Sequence, residues 1–136
     1  MQTHLDLEQD IRSARADLIT AVHFDRSQDK VRPADRANVE RKAEVLRAYP
    51  HLRIRIEGNA DDRGSDDANR SLALRRAAEL RRDLVARGVA ESRIETASVG
   101  ASDPECDGAS DDCSRENRRD DIVLIAGDSQ WMAGTP

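Results

Sequence analysis

Six residues of strict alternation, Leu52-Arg53-Ile54-Arg55-Ile56-Glu57, run directly into a glycine-bounded acidic loop and then a long helical pattern. Apolar side chains at every second position, with charges between them, belong to a strand with one buried and one wet face. The loop Gly58-Asn59-Ala60-Asp61-Asp62-Arg63-Gly64-Ser65 follows. From about Asp67 to Arg87 the pattern is helical, with Ala73, Ala77, Leu80 and Leu84 on one face. Gly88 suits a left-handed C-cap. A strand that feeds a helix in this way needs the helix folded back over the sheet. That requirement commits the chain to an α/β design.

The remaining elements extend it. Leu7, Ile11, Ala14 and Leu18 recur at helical spacing, which predicts a lead-in helix over 5–17. Residues 18–24 read as a first strand and Asp25 to Arg32 as a polar loop. Pro33 suits the first turn of a helix that reaches about Ala48, with Val39, Ala43 and Leu46 inward and Pro50 ending it. Ile94 to Val99 and Asp121 to Ile125 are the third and fourth strands. The expected fold is a two-layer α/β (α+β) sandwich, a small mixed four-stranded sheet with two main helices on one face. Residues 1–17 form a lead-in segment, 18–125 the domain, and 126–136 a patternless, flexible tail.

Composition removes several function classes. Lys+Arg 22 against Asp+Glu 27 gives a net charge of -5 over 136 residues, where a nucleic-acid binder needs a basic surplus. Phe24, Tyr49 and Trp131 are the only aromatics, too few for base-stacking platforms. No apolar run is long enough to span a membrane. Met1 to Asp6 lacks the regions of a signal peptide, so the chain reads as cytoplasmic or as the mature part of an exported protein. Cys106 and Cys113, in one Pro/Gly/Asp/Ser loop, favour export. Their spacing suits a local disulfide contributing about 2–3 kcal/mol, against the alternative of two free surface thiols.

Catalytic and metal readings find little footing. His4, His23 and His51 stand apart from one another and from any nucleophile motif. Asp61, Asp62, Asp66 and Asp67 do not meet the spacing of a calcium loop, and they suit a turn whose acids favour the next helix's dipole. No cofactor is expected. Arg75, Arg81, Arg82 and Arg87 read as a solvated helix face. Arg76 differs: it lies about 40° around the helix from Leu72 and Leu80, at the border of the apolar face. Spacing alone leaves it either facing a ligand or paired internally with Asp61 or Asp62. Asn117-Arg118-Arg119 reads as a polar strand entry, with one arginine paired to an Asp.

The ordered set Phe24-Asp25, Arg32-Pro33, Ile54 to Gly58, Ala60-Asp61-Asp62-Arg63-Gly64-Ser65, Asn69, Leu72, Arg75-Arg76-Ala77, Gly88-Val89, Gly100, Cys106, Cys113 and Asn117-Arg118-Arg119 resembles the OmpA-like peptidoglycan-binding domain. Within that family it is most similar to the peptidoglycan-associated lipoprotein (Pal) branch. The resemblance covers residues 18 to 125. It implies a non-enzymatic domain that grips the diaminopimelate residue of the peptidoglycan stem peptide and ties the wall to the outer membrane from the periplasm. It implies that Asp61 takes the ligand's ammonium and Arg76 its carboxylate, a pairing that charge-assisted bonds and a bidentate guanidinium suit. Phe24 and Asp25 match the pocket floor and edge, and Arg63, Asn69 and Leu72 match further lining positions.

The chain departs from the family pattern at several points. Asn59 stands where His or Thr is usual, Ala68 for Tyr, Arg26-Ser27-Gln28 for Phe-Asp-Lys, Ala73 for Ser, and Asp120 for an apolar strand residue. The lipidated cysteine of the branch is not in this sequence, so anchoring is implied by the family alone. The resemblance also implies a TolB-like periplasmic partner. A protein-interaction module with weak or no wall binding is therefore one rival, and a hydrolase of the same polymer another.

Overall fold

A computed structural model describes residues 4–25, 28–59, 65–100 and 118–127. In chain order the elements are helix α1 (His4–Ile19), strand β1 (Val22–His23), a 3-10 turn (Pro33–Asp35), helix α2 (Arg36–Ala48), strand β2 (Arg53–Asn59), helix α3 (Asp66–Ala86), a second 3-10 turn (Glu91–Arg93), strand β3 (Ile94–Gly100) and strand β4 (Arg119–Ala126). The sheet order is β1-β4-β2-β3. β4 runs antiparallel to both neighbours, and β3 lies parallel to β2 across the α3 crossover.

One face of the sheet carries the core. Val22, Ile54, Ile56 and Ile122 meet Val39, Ala43 and Leu46 of α2 and Ala77, Leu80 and Leu84 of α3. The other face is wet: Arg55 pairs with Glu57 at 3.0 Å along β2, and Arg53 reaches Glu95 at 3.9 Å. The alternation of 52–57 is thus read out residue by residue. α3 ends where Gly88 takes φ +97°. There the Gly88 N–H bonds the Val85 carbonyl and the Val89 N–H bonds Leu84, the two bonds of a Schellman cap.

The first strand is corrected. Residues 18–21 are not strand: α1 continues to Ile19, and only Val22 and His23 form β1. The helical stripe simply runs on, with Ile11 and Leu18 both buried in the common core. α1 therefore makes a third helix, packed on α2 and touching β4. Its C-terminus is held from outside. Lys42 of α2, fully buried, donates to the carbonyls of Asp17 (2.8 Å), Leu18 (2.9 Å) and Thr20. An ammonium has three donors, and here each meets a carbonyl that the helix end leaves unbonded.

Candidate functional site

The site is built where β1 and β2 end and α3 begins. Ser65 caps α3 by accepting a bond from the Ala68 N–H at 3.1 Å, and Asp66 and Asp67 occupy its positive first turn. α3 then presses directly on β2. A Cβ on Gly58 would sit 2.0 Å from the Ala73 carbonyl oxygen, so only glycine lets the helix backbone approach this closely. One turn beyond Ala73, that contact delivers Arg76 over the end of the sheet.

Arg76 is fully buried rather than at the border of the apolar face. Its Nε donates to the Gln28 carbonyl at 2.8 Å, and its terminal nitrogens donate to Asp25 at 3.1 Å and Asn59 at 3.4 Å. The guanidinium also lies over the Phe24 ring, 5.2 Å from its centroid, within the range of a cation–π contact. The planar fork thus joins the segment after β1 to the last residue of β2. Since Arg76 exposes no surface, a ligand carboxylate can meet it only after a local displacement.

Phe24 is held from both sides. Its N–H donates to the Arg118 carbonyl at 2.8 Å, and Arg118 Nε donates back to the Phe24 carbonyl at 3.1 Å. Asp25 is exposed and offers its carbonyl to Arg76. Asn69 is buried and Leu72 half-buried, seven and four residues before Arg76 on α3 and so near its face. The structure therefore brings together Phe24, Asp25 and Arg76, and helical spacing puts Asn69 and Leu72 near the Arg76 face of α3. Asp61, Arg63, Cys106, Cys113 and the tail from residue 128 lie outside the described residues.

The helix-face arginines divide. Arg75 and Arg82 are exposed as expected, with Arg75 3.6 Å from Asp29. Arg81 and Arg87 are not simply solvated. Arg81 pairs with Glu91 at 3.0 Å and donates to the Ile94 carbonyl, and Arg87 pairs with Glu40. Both serve to tie α3 to its neighbours.

Four further residues surround the site. Arg118, buried, donates to the Phe24 carbonyl. Asn59 offers its carbonyl to Arg76, while its amide donates to Asp121 at 3.2 Å. Arg119 also reaches Asp121, at 3.0 Å, as expected of one of the two arginines. Asp120 is fully buried, and neither carboxyl oxygen has a hydrogen-bond partner. Burial pushes its carboxyl well above the usual carboxylate range; the Arg76 charge pulls it down and Asp121 pushes it further up. Strand parity with Ile122 and Leu124 was the available signal, since it points Asp120 inward.

Elsewhere, an open depression of about 250 Å³ lies between α3 and β3, lined by Ala78, Arg81, Arg82, Val85, Glu91 and Thr96. Its Arg81 is already committed to Glu91, and it is remote from the Arg76 cluster. Among the described residues no group of His, Cys, Asp and Glu is arranged to hold a metal ion, and no helix is long and apolar enough to cross a membrane.

The whole is a mixed sheet backed by helices, with an arginine from the crossover helix over a phenylalanine at the strand ends. Residues 23–119 match the OmpA family model, and the chain belongs to that family. It is 41% identical over 105 residues to the peptidoglycan-associated lipoprotein of Rhizobium meliloti, covering 76% of this chain and 58% of that protein. It is 38% identical over 92 residues to the peptidoglycan-binding protein ArfA of Mycobacterium bovis, covering 68% of this chain and 28% of that one. The chain thus spans little more than half of such a lipoprotein. Among solved structures, the peptidoglycan-associated lipoprotein from Burkholderia pseudomallei superposes with a TM-score of 0.75 at 32% identity, over 77% of this chain and 89% of that one. The C-terminal domain of Helicobacter pylori MotB shares the fold, with a TM-score of 0.76 at 21% identity over 85% and 94% of the two chains. The domain is a binding module, not an enzyme.

Proposed function

We propose that the domain binds peptidoglycan noncovalently through the diaminopimelate residue of the stem peptide. Arg76 receives the ligand's carboxylate and Asp61 its ammonium, over a floor made by Phe24. Asp25, Arg63, Asn69 and Leu72 line the rest. In this role the domain ties the outer membrane, or a parent protein, to the cell wall from the periplasm. The observation that carries the reading is the buried guanidinium of Arg76. It is stacked on Phe24 and aligned by three backbone carbonyls where β1, β2 and α3 converge. Once a local displacement uncovers it, a guanidinium oriented by its backbone acceptors presents a planar fork that matches a carboxylate. The names of the relatives supply the ligand class. We also propose that Cys106 and Cys113 form a local disulfide.

Sedimentation with purified sacculi tests the reading: the domain should pellet with the wall polymer and be released by free stem peptide. A domain that stays in the supernatant is instead the protein-interaction module of a Tol-Pal-type complex, with a TolB-like partner. Release of soluble fragments from the sacculi would instead reveal a hydrolase.

A further inference from the structure

Asp120 is the second residue of β4, and it pairs with Val22 of β1 and with Gly58 of β2. Residues directly opposite in antiparallel strands point to one face, and buried Val22 and Ile122 identify that face as the one beneath the helices. Gly58 contributes no side chain to this row, and α3 rests on it through Ala73. Three residues later, Arg76 reaches Asn59 on β2 and Asp25 just beyond β1. Those strands flank β4, so the guanidinium bridges across the strand that carries Asp120. An unpartnered, fully buried carboxyl and the cation of the site therefore share one small space between sheet and helix.

We infer that Asp120 is a positioning residue for the ligand site. As a neutral acid it leaves the Arg76 charge to a ligand carboxylate, and as a carboxylate it competes for that charge. The inference rests on Arg76 being the contact for the ligand's carboxylate. Among the described residues, the other charged groups around Asp120 are few. Asp121 and Arg119 are its neighbours on β4 and pair with each other. Arg118 precedes them and is bonded to Phe24. Asp25 and His23 lie at the end of β1, and β2 presents no charge on this face. Burial is what favours the neutral acid, and Arg76 is the group that opposes it. A ligand carboxylate on Arg76 offsets that opposition and raises the Asp120 titration point, so binding draws protons from solvent onto its carboxyl in the pH interval between the ligand-free and ligand-bound titration points. An apolar residue here could not couple binding to a proton.

Wild type and Asp120→Asn should be titrated calorimetrically with a diaminopimelate stem peptide across a pH series that rises from mildly acid to alkaline. Wild-type affinity should fall toward high pH by roughly five- to tenfold relative to Asp120→Asn. Parallel profiles for the two proteins would overturn the inference. A wild type that binds no stem peptide at any pH contradicts the functional reading instead, and a ligand-free measurement then decides. The Arg76 Nε–H resonance, followed against pH in both proteins, should show a titration step in wild type that is missing in Asp120→Asn. A step common to both, or absent from both, overturns the coupling.

Discussion

Among the described residues two cations are fully buried, Lys42 and Arg76, and each donates to three backbone carbonyls. They do different work. All three acceptors of Lys42 belong to the last turn of α1 and the residue after it, so the ammonium closes one helix end and its donor inventory is exhausted. Burial pushes its pKa down to about 7. Arg76 draws its carbonyls from separate segments, at Asp25, Gln28 and Asn59, lies on an aromatic ring, and shares its space with a buried acid. A guanidinium also keeps its charge at any physiological pH. A buried charge does not by itself mark a binding site. What distinguishes Arg76 is a permanent charge held by converging elements.

The largest expected effect comes from the contact that seats Arg76. Gly58→Ala must push α3 off β2 and should cost at least about 3 kcal/mol; urea denaturation should show it, and a near-neutral result would mean that the helix does not need the glycine. Lys42→Met strands three carbonyls at the end of α1 and should cost about 2–4 kcal/mol, while the remaining fold still binds. Arg76→Lys keeps the charge but loses the fork. It should cost about 1–2 kcal/mol of stability and weaken binding by roughly tenfold or more.

Asp120→Asn should be more stable than wild type at neutral pH. The sign follows from linkage: the native carboxyl holds its proton well above the usual carboxylate range, whereas the unfolded one releases it within that range. Stability in wild type therefore falls as pH rises from about 4 toward the native titration point. Melts of both proteins at acid and neutral pH check it, with the gap opening as pH rises. Arg75→Ala should be the smallest change, within about 0.5 kcal/mol and with binding intact, because Arg75 is exposed.

Much of this was legible in the chain. The alternation of 52–57 and the stripe on α3 gave the two-layer design because burial enforces period in both elements. The boundary at Leu18 misled because an apolar, β-branched run from Leu18 to Phe24 fits a strand until Lys42, distant in sequence, is seen capping a helix there. Arg76 was placed at a border by helical angle, but angle cannot report how closely α3 lies on the sheet. That closeness depends on Gly58 meeting Ala73. Asp120 was read as a departure from pattern, although its parity with Ile122 already placed it inward.

The most direct test is one calorimetric series with a diaminopimelate stem peptide on wild type, Lys42→Met and Arg76→Lys, each first shown folded by its thermal melt. Lys42→Met should bind with wild-type affinity despite its lost stability, and Arg76→Lys should lose roughly tenfold or more. Wild-type affinity in Arg76→Lys, or an equal loss in Lys42→Met, would contradict the assignment of Arg76 to the ligand.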